Sequence, residues 1–232
     1  MPQGLSMVIA GTTGLVGQST LQSAVLNKNI SCIYSLSRRA TEIESNKVIQ
    51  WIDPHLTPPA RSKIQQLPSI AVITLGTTIK KAGSKEQLKA IDTTLVIQVA
   101  NNLQQIGVKH LFVVSSLGAS INARSHYLRC KGEMEIAIQQ LDFKSITFIQ
   151  PGPLAGFRKE IRKDEQILQR VMKIFNPFMV GILANFKPIQ SQHVADTIIH
   201  LATQNKNKHK EKIKRINSSY MVKLINEIGV SQ

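Results

Sequence analysis

The sequence predicts an α/β protein with a doubly wound parallel sheet, covered by helices on both faces and followed by a small C-terminal substrate cap. Short apolar runs alternate along the chain with segments of helical spacing, and a glycine-rich turn follows the first run directly. The chain has 232 residues, of which 42% are hydrophobic and 19% charged, which is enough apolar material for one core. We therefore expect a single domain over residues 1–232.

Six apolar, β-rich runs predict the strands, at residues 5–10, 31–36, 47–52, 70–75, 110–115 and 145–150. Segments of helical spacing predict the main helices, at residues 16–26, 85–106, 126–141 and 191–202. The connection over residues 53–68 contains Pro54, Pro58 and Pro59, so we expect an irregular loop with at most one short helix.

The alternation fades after residue 150, and residues 151–190 mix loop and helix patterns around Pro177. In a doubly wound sheet this position lies beyond the carboxyl ends of the strands, where substrates bind, so we expect a substrate cap here. Its apolar side chains favour an apolar pocket or lid, or else they complete the core or a dimer surface. They are Phe157, Ile161, Ile167, Phe175, Phe178 and Met179.

Residues 204–232 predict a basic tail and a terminal helix. The run over residues 204–215 carries six Lys or Arg residues against one Glu, and a helical pattern follows at residues 220–228. We expect a solvated linker that ties down the helix, the alternative being a patch for anions or nucleic acid. The run has no aromatic residue to stack on a base, so nucleic-acid binding is expected to be non-specific.

The charge balance is strongly basic. Lys and Arg number 29 against 14 Asp and Glu, a formal charge of +15 that favours anionic ligands, nucleic acid or acidic membrane surfaces. Cys32 and Cys130 are too few for a disulfide framework and lack metal-ligand spacing, so we expect a reducing compartment and no metal. No apolar run approaches the roughly 18 residues of a membrane span. The expected location is the cytoplasm.

A glycine-rich turn, GTTGLVG, stands between the first predicted strand and the first helix. Gly11 is suited to a tight turn, Gly14 to close approach of the backbone to a pyrophosphate, and Gly17 to close packing of the helix on the sheet. The free amides at the start of the helix would then bind phosphate. The context favours a dinucleotide site, the alternative being a purely structural turn.

The second predicted strand ends in SLSRRA, with Arg38 and Arg39 where a site for NAD usually has a carboxylate. Two guanidinium groups favour the 2′-phosphate of NADP(H), the alternative being a solvated basic turn.

Tyr127 and Lys131 stand four residues apart in HYLRCKGEME and share one face of the predicted helix. A nearby ammonium stabilises a phenolate, so Tyr127 is suited to give a proton to a carbonyl. Ser115 and Ser116 end the fifth strand, and a hydroxyl there is suited to bind a substrate carbonyl. Such a Tyr and Lys pair also arises by chance in many helices. His126 is expected to point elsewhere, because adjacent helix residues lie about 100° apart.

The motifs GTTGLVG, VVSS and YLRCK, in this order, resemble the short-chain dehydrogenase/reductase superfamily with its Ser, Tyr and Lys triad. SRRA, LGTTIKKAGS, VSSLGA and QPGPLAGFRKEIR are most similar to its atypical branch, that of the HIV Tat-interacting oxidoreductase-like and NAD-dependent epimerase-like proteins. The resemblance covers residues 7–201 and implies a Rossmann fold. The family's Asn on the long middle helix has no secure counterpart, and we expect only a packing or capping role for Asp92.

The resemblance also implies roles for individual residues. The pyrophosphate would be lined by the turn residues Gly11, Thr12, Thr13, Gly14, Leu15 and Val16, with Gly17 beside them. Arg38 and Arg39 would bind the 2′-phosphate, and Leu75, Gly76 and Thr77 the two riboses. The catalytic residues would be Tyr127 and Lys131, with Lys131 also on the nicotinamide ribose. The nicotinamide end would be closed by Pro151, Gly152, Leu154 and Arg158. Asp53 would reach the adenine amine, or else it is an exposed turn residue.

Two functions are expected from these residues. The first is a reductase in which NADPH delivers hydride to a small-molecule carbonyl and Tyr127 supplies the proton. The alternative is a redox-sensing regulator that binds NADP(H) with little or no catalysis. Nucleic-acid recognition through the basic surface is a third, with only charge in its favour. A monomer and a homodimer are both compatible with the sequence.

Overall fold

The computed structural model describes residues 4–155, 187–204 and 211–229. These residues form a seven-stranded, fully parallel sheet with helices on both faces, which confirms the predicted fold class. The strands are β1 Leu5–Ala10, β2 Ile30–Ser37, β3 Val48–Ile52, β4 Ile70–Ile73, β5 His110–Val114, β6 Ser145–Gln150, β7 Leu154–Ala155, β8 Ile189–Gln190 and β9 Ile213–Asn217. The sheet order is β3-β2-β1-β4-β5-β6-β9, and β7 pairs with β8 separately.

The helices in the described ranges are α1 Leu15–Leu26, α2 Ile79–Ala82, α3 Lys85–Lys89, α4 Val96–Gln105, α5 His126–Gln139, α6 Ser191–Thr203 and α7 Ser218–Gly229. The helix predicted over residues 85–106 is present, but its middle, Ala90–Leu95, is wound as a π-helix between α3 and α4. Single π-helical turns inside α-helices occur frequently at functional sites. The loop after β3 contains one short 3₁₀ helix, Arg61–Lys63, as predicted.

The core consists of two apolar layers, one on each face of the sheet. Alternate residues of β1 enter different layers: Val8 and Ala10 pack with α4 and α5, whereas Met7 and Ile9 pack with α1 and α6. This two-sided burial explains why the strands read as continuous apolar runs. It also places the carboxyl ends of β1, β4 and β5 side by side along one edge of the sheet. That edge is called the carboxyl edge below.

The prediction of a solvated linker over residues 204–215 is wrong for the last three residues of this range. Ile213–Asn217 forms β9, which pairs in parallel with β6 as the last strand of the sheet. Ile216 is buried, and the two basic residues of the strand, Lys214 and Arg215, stand between the two isoleucines on this outermost strand of the sheet. An edge strand needs few apolar residues, and Lys and Arg there discourage pairing with another chain. Residues 205–210 lie outside the described part of the chain.

The predicted cap lies mostly outside the described residues, among them Arg158 and the six apolar residues that favoured a pocket or lid. Its two ends are described, and there β7 and β8 pair in parallel. In the ranges that the structure covers, no helix is long and apolar enough to cross a membrane. Those same ranges contain no group of three or more potential metal-binding His, Cys, Asp or Glu side chains.

Candidate functional site

The glycine turn between β1 and α1 is closed by contacts that exclude side chains. Gly11 has φ +90°, in the left-handed region that favours glycine. A Cβ on Gly17 would lie 2.0 Å from the Gly11 carbonyl oxygen, so α1 could not approach the turn with any larger residue. Gly14 precedes α1, is exposed, and leaves the first turn of α1 without a side-chain cap. A Cβ-free cradle and uncapped amides suit a bound phosphate.

Two threonines fix this turn to the sheet. Thr74 Oγ1 donates to the Ala10 and Gly11 carbonyl oxygens at 2.9 and 3.1 Å. Thr12 is fully buried, and its Oγ1 lies 2.8 Å from Ser35 Oγ on β2. Its hydroxyl is thus used inside the fold, so the predicted contact of Thr12 with a pyrophosphate would involve its backbone. Val16 likewise packs into the core, whereas Thr13 and Leu15 are half-buried.

Arg38 and Arg39 are exposed directly beyond the end of β2, and Ser37 Oγ donates to the Arg39 carbonyl oxygen at 2.7 Å. Asp53 follows β3 on the same side of the sheet. Its Oδ1 accepts the amides of His55 and Thr57, both at 2.9 Å, and the Thr57 amide lowers the pKa of the carboxyl. Asp53 thus caps its own turn, with one carboxylate oxygen already occupied.

Tyr127 and Lys131 lie on one face of α5 at the carboxyl edge. Lys131 Nζ is 6.0 Å from the centroid of the Tyr127 ring, and its side chain is only 3% exposed. The ammonium donates to the Val114 carbonyl oxygen at 3.4 Å and lies 2.9 Å from Asp92 Oδ1. The contact with Asp92 is an ion pair without the alignment of a good hydrogen bond.

Asp92 therefore does more than the expected packing or capping, because it forms an ion pair with Lys131. It is fully buried on the π-helical turn, and its Oδ2 accepts the Thr77 amide at 2.8 Å. A Cβ on Gly76 would lie 3.2 Å from Asp92 Oδ1 and 3.6 Å from Lys131 Nζ. The loop Leu75–Gly76–Thr77 consequently covers the ion pair directly. The sequence places Asp92 on the middle helix, but it contains no pattern that pairs this residue with Lys131.

Ser115 does not present a free hydroxyl. It is buried, and its Oγ donates to Glu135 Oε1 at 2.6 Å. Its one hydroxyl proton is thus committed to Glu135 and is not available to a substrate carbonyl. Ser116 is half-buried, and its Oγ lies 3.4 Å from the Leu117 carbonyl oxygen.

Glu135 is a buried residue that the sequence analysis missed. Besides Ser115, it accepts Gln150 Nε2 at 2.8 Å and Arg215 Nε at 3.0 Å. The one available signal was its position four residues after Lys131, which puts it on the same face of α5. Glu135, on α5, thus contacts the residue directly after β5 and residues on β6 and β9.

The residues after β6 continue along this edge. Pro151 is buried and its carbonyl oxygen accepts the Leu117 amide at 2.9 Å. The Gly152 amide donates to Ser218 Oγ at 2.8 Å, which joins the loop to the start of α7. Leu154 is exposed on β7. The structure thus brings the glycine turn, the loop after β4, and Tyr127 with Lys131 to one edge.

The chain is similar to curated fungal proteins. Over residues 28–180 it matches the model of the family described as HIM1. It is 35% identical over 164 residues to the protein named FMP52, mitochondrial, of Lodderomyces elongisporus, covering 67% of this chain and 69% of that one. The Candida albicans protein of the same name is 28% identical over 232 residues, covering 97% and 100%. The expected cytoplasmic location is contradicted by these relatives, which are named as mitochondrial.

Solved structures share the fold at low sequence identity. The oxidoreductase ylbE from Lactococcus lactis superimposes with a TM-score of 0.61 and 16% identity, covering 96% of this chain and 97% of that one. The Bordetella bronchiseptica enzyme WbmG, in complex with NAD and UDP, has a TM-score of 0.60 and 12% identity, covering 93% and 73%. The chain belongs to the HIM1 family, and its fold is Rossmann-like, as in these solved structures.

Proposed function

We propose that this protein is an NADP(H)-dependent oxidoreductase that transfers hydride between the nicotinamide and a small carbonyl compound. One observation carries the proposal: Lys131 Nζ, buried and paired with Asp92, lies 6.0 Å from the Tyr127 ring centroid at the edge that holds the glycine turn. Tyr127 and an ammonium at the mouth of a dinucleotide cradle form an arrangement suited to carbonyl reduction.

The residues present fit a dinucleotide. The Cβ-free turn at Gly11, Gly14 and Gly17 and the uncapped start of α1 would hold the pyrophosphate. Arg38 and Arg39 would hold a 2′-phosphate, because both guanidinium groups are exposed where β2 ends. The loop Leu75–Gly76–Thr77 and Lys131 would hold the riboses. When bound, the cofactor supplies the hydride.

The chain's own residues then handle the proton. Tyr127 donates its hydroxyl proton to the carbonyl oxygen, and Lys131 stabilises the phenolate that remains. Asp92 holds the ammonium in place and, through the Thr77 amide, fixes the loop above it. This arrangement orients the reacting groups without a conformational search at each turnover.

Two observations favour a second candidate, a regulator that binds NADP(H) without efficient catalysis. Asp92 compensates the charge of Lys131, which reduces the stabilisation that the ammonium offers a phenolate. Ser115, one of the two candidates for the triad serine, donates its proton to Glu135 instead. Both features would weaken the chemical step more than the binding of the cofactor phosphates at the glycine turn.

A stopped assay of NADPH oxidation against a panel of aldehydes, ketones and quinones tests the proposal. Tyr127→Phe should lower turnover by about 10²–10⁴-fold, as expected for loss of a general acid, while NADPH affinity stays nearly unchanged. Tyr220→Phe, which removes an exposed hydroxyl on α7, is the control and should keep full activity. Tight NADPH binding without turnover of any compound would favour the regulator, and an active Tyr127→Phe would rule out the proton donor.

A further inference from the structure

Three lysines, called the lysine rim here, are exposed between β4 and the π-helical turn. They are Lys80 and Lys81 on α2 and Lys85 at the start of α3. Within the part of the chain that the structure describes, none of the three forms an ion pair. Lys89, one helical turn further on, differs because its ammonium contacts Glu133 at 2.7 Å. The lysine rim therefore carries net positive charge, with Glu86 as a neighbouring carboxylate that interacts electrostatically with Lys85.

Two hydrogen bonds connect the segment that carries the lysine rim to the surroundings of Tyr127. At its beginning, the Thr77 amide is bound to Asp92, the partner of Lys131. At its end, the Lys85 carbonyl oxygen lies 3.1 Å from Nε2 of His126, the residue directly before Tyr127. Lys85 thus borders the start of α5, and Lys80 and Lys81 lie in the segment that connects Lys85 to the loop above the Asp92–Lys131 pair.

The groups around this position do not cancel its charge. Residues 76–89 contain a single acidic residue, Glu86, and residues 116–129 contain none but add Arg124 and Arg129. The buried ion pair beneath contributes no net charge, because Asp92 balances Lys131. The phosphates of a dinucleotide do not explain the lysine rim either, since the glycine turn and Arg38 and Arg39 would hold them at β1 and β2. The positive charge of the lysine rim would then lie at the end of the proposed site that receives the substrate.

We propose that the lysine rim selects a substrate that carries an anionic group, a carboxylate or a phosphate, in addition to its carbonyl. The inference rests on the proposed function and names the substrate class of the same site. Clustered charge of one sign at the mouth of a cleft raises the local concentration of oppositely charged substrate and accelerates its binding. The carbonyl would reach Tyr127 while the anionic group stays at the lysine rim in contact with water.

A matched pair of aldehydes tests this selection. 4-Carboxybenzaldehyde and 4-methylbenzaldehyde share the reacting group and differ in charge. We expect kcat/KM with NADPH to favour the carboxylate by about tenfold at low salt, and to lose most of this preference at 1 M KCl, where the Debye length is about 3 Å. Glyceraldehyde 3-phosphate against glyceraldehyde then distinguishes a phosphate preference from a carboxylate preference.

Two triple variants distinguish the effect of the lysine rim on substrate preference from the effect of the protein's overall charge. Lys80→Gln/Lys81→Gln/Lys85→Gln should abolish the preference for the anionic aldehyde. Lys28→Gln/Lys109→Gln/Lys144→Gln removes the same charge from exposed positions before β2, β5 and β6, at the opposite edge of the sheet, and should preserve it. Equal values for both aldehydes in the wild type, or equal losses in both triple variants, would overturn the inference.

Calorimetry with the oxidised cofactor NADP⁺ gives a readout without turnover. The anionic aldehyde should bind the protein–NADP⁺ complex more tightly than its neutral partner, and only in the presence of the lysine rim. Such binding without reduction of either aldehyde by NADPH would support the lysine rim and contradict the proposed catalysis. Reduction of both aldehydes without a charge preference would support catalysis and contradict the lysine rim.

Discussion

The glycine turn and the inward face of α5 lie on the same edge of the sheet and are built by opposite means. The turn at residues 11–17 consists of backbone and small side chains, and its geometry depends on the absence of Cβ atoms at Gly11 and Gly17. The α5 face consists of buried charge, with Lys131 paired to Asp92 and Glu135 paired to Arg215. The structure of the glycine turn depends on steric fit, whereas that of the α5 face depends on the pairing of opposite charges.

This difference determines what each region tolerates. A steric site fails when an atom is added, because a packed turn has no room to relax. A buried ionic site fails when one charge is removed, because the remaining charge is left without a partner in a low-dielectric environment. Substitutions that conserve volume and change charge should therefore damage α5, and substitutions that conserve charge and add volume should damage the turn.

The largest expected effect is on α5. Asp92→Asn keeps the shape and an acceptor for the Thr77 amide but leaves Lys131 buried without its counter-ion. Breaking a buried pair in this way costs about 3–5 kcal/mol, to be measured by urea unfolding of the protein without cofactor. Glu133→Gln breaks the exposed pair with Lys89 and should leave the midpoint unchanged. A stable Asp92→Asn protein would show that the α5 face does not depend on charge compensation.

The next effect is steric. Gly17→Ala places a methyl group 2.0 Å from the Gly11 carbonyl oxygen, and overpacking of this kind costs about 1–3 kcal/mol. Gly14→Ala is the control, because its Cβ would lie 3.4 Å from the same oxygen and its φ of −85° suits alanine. Gly14→Ala should lower NADPH affinity without lowering stability. Equal free energies of unfolding for the two variants would contradict the steric description of the turn.

The smallest effect concerns the cofactor phosphate beyond the turn. Arg38→Ala/Arg39→Ala should lower NADPH affinity by about tenfold or more and leave NADH affinity unchanged, since one charge-assisted hydrogen bond is worth at least that factor. Nicotinamide fluorescence titrations with both cofactors measure it. Lys28→Ala, at the other end of β2, controls for lost charge. Wild-type protein that binds NADH and NADPH equally would remove the basis for NADP(H).

The steric region could be predicted from the sequence, and the charged region mostly could not. Gly11, Gly14 and Gly17 lie close together in the chain, so the sequence pattern alone predicts the turn that they form. The pairing of Tyr127 with Lys131 was visible for the same reason, within two turns of one helix. The partners of Glu135, however, are 20 residues away at Ser115 and 80 residues away at Arg215. Such pairs depend on sheet order, which no local pattern records.

The same limit explains the error over β9. Its residues, IKRIN, end a basic run, and only Ile213 and Ile216 mark a strand within it. A central strand is recognised by its continuous apolar character, whereas an edge strand shares its composition with loops. The position of β9 beside β6 is visible only in the three-dimensional structure.

The place of Arg215 in the chain has a consequence for the order of folding. During synthesis, Ser115 comes shortly before Glu135 and Gln150 shortly after it. The guanidinium group of Arg215, which neutralises the Glu135 carboxylate, follows 80 residues later. Burial of an uncompensated carboxylate is strongly unfavourable, so α5 should not dock stably before β9 joins the sheet. Contacts between residues far apart in sequence form slowly. The part of α5 around Glu135 should therefore stay accessible to chaperones in a nascent chain until residue 215 has left the ribosome.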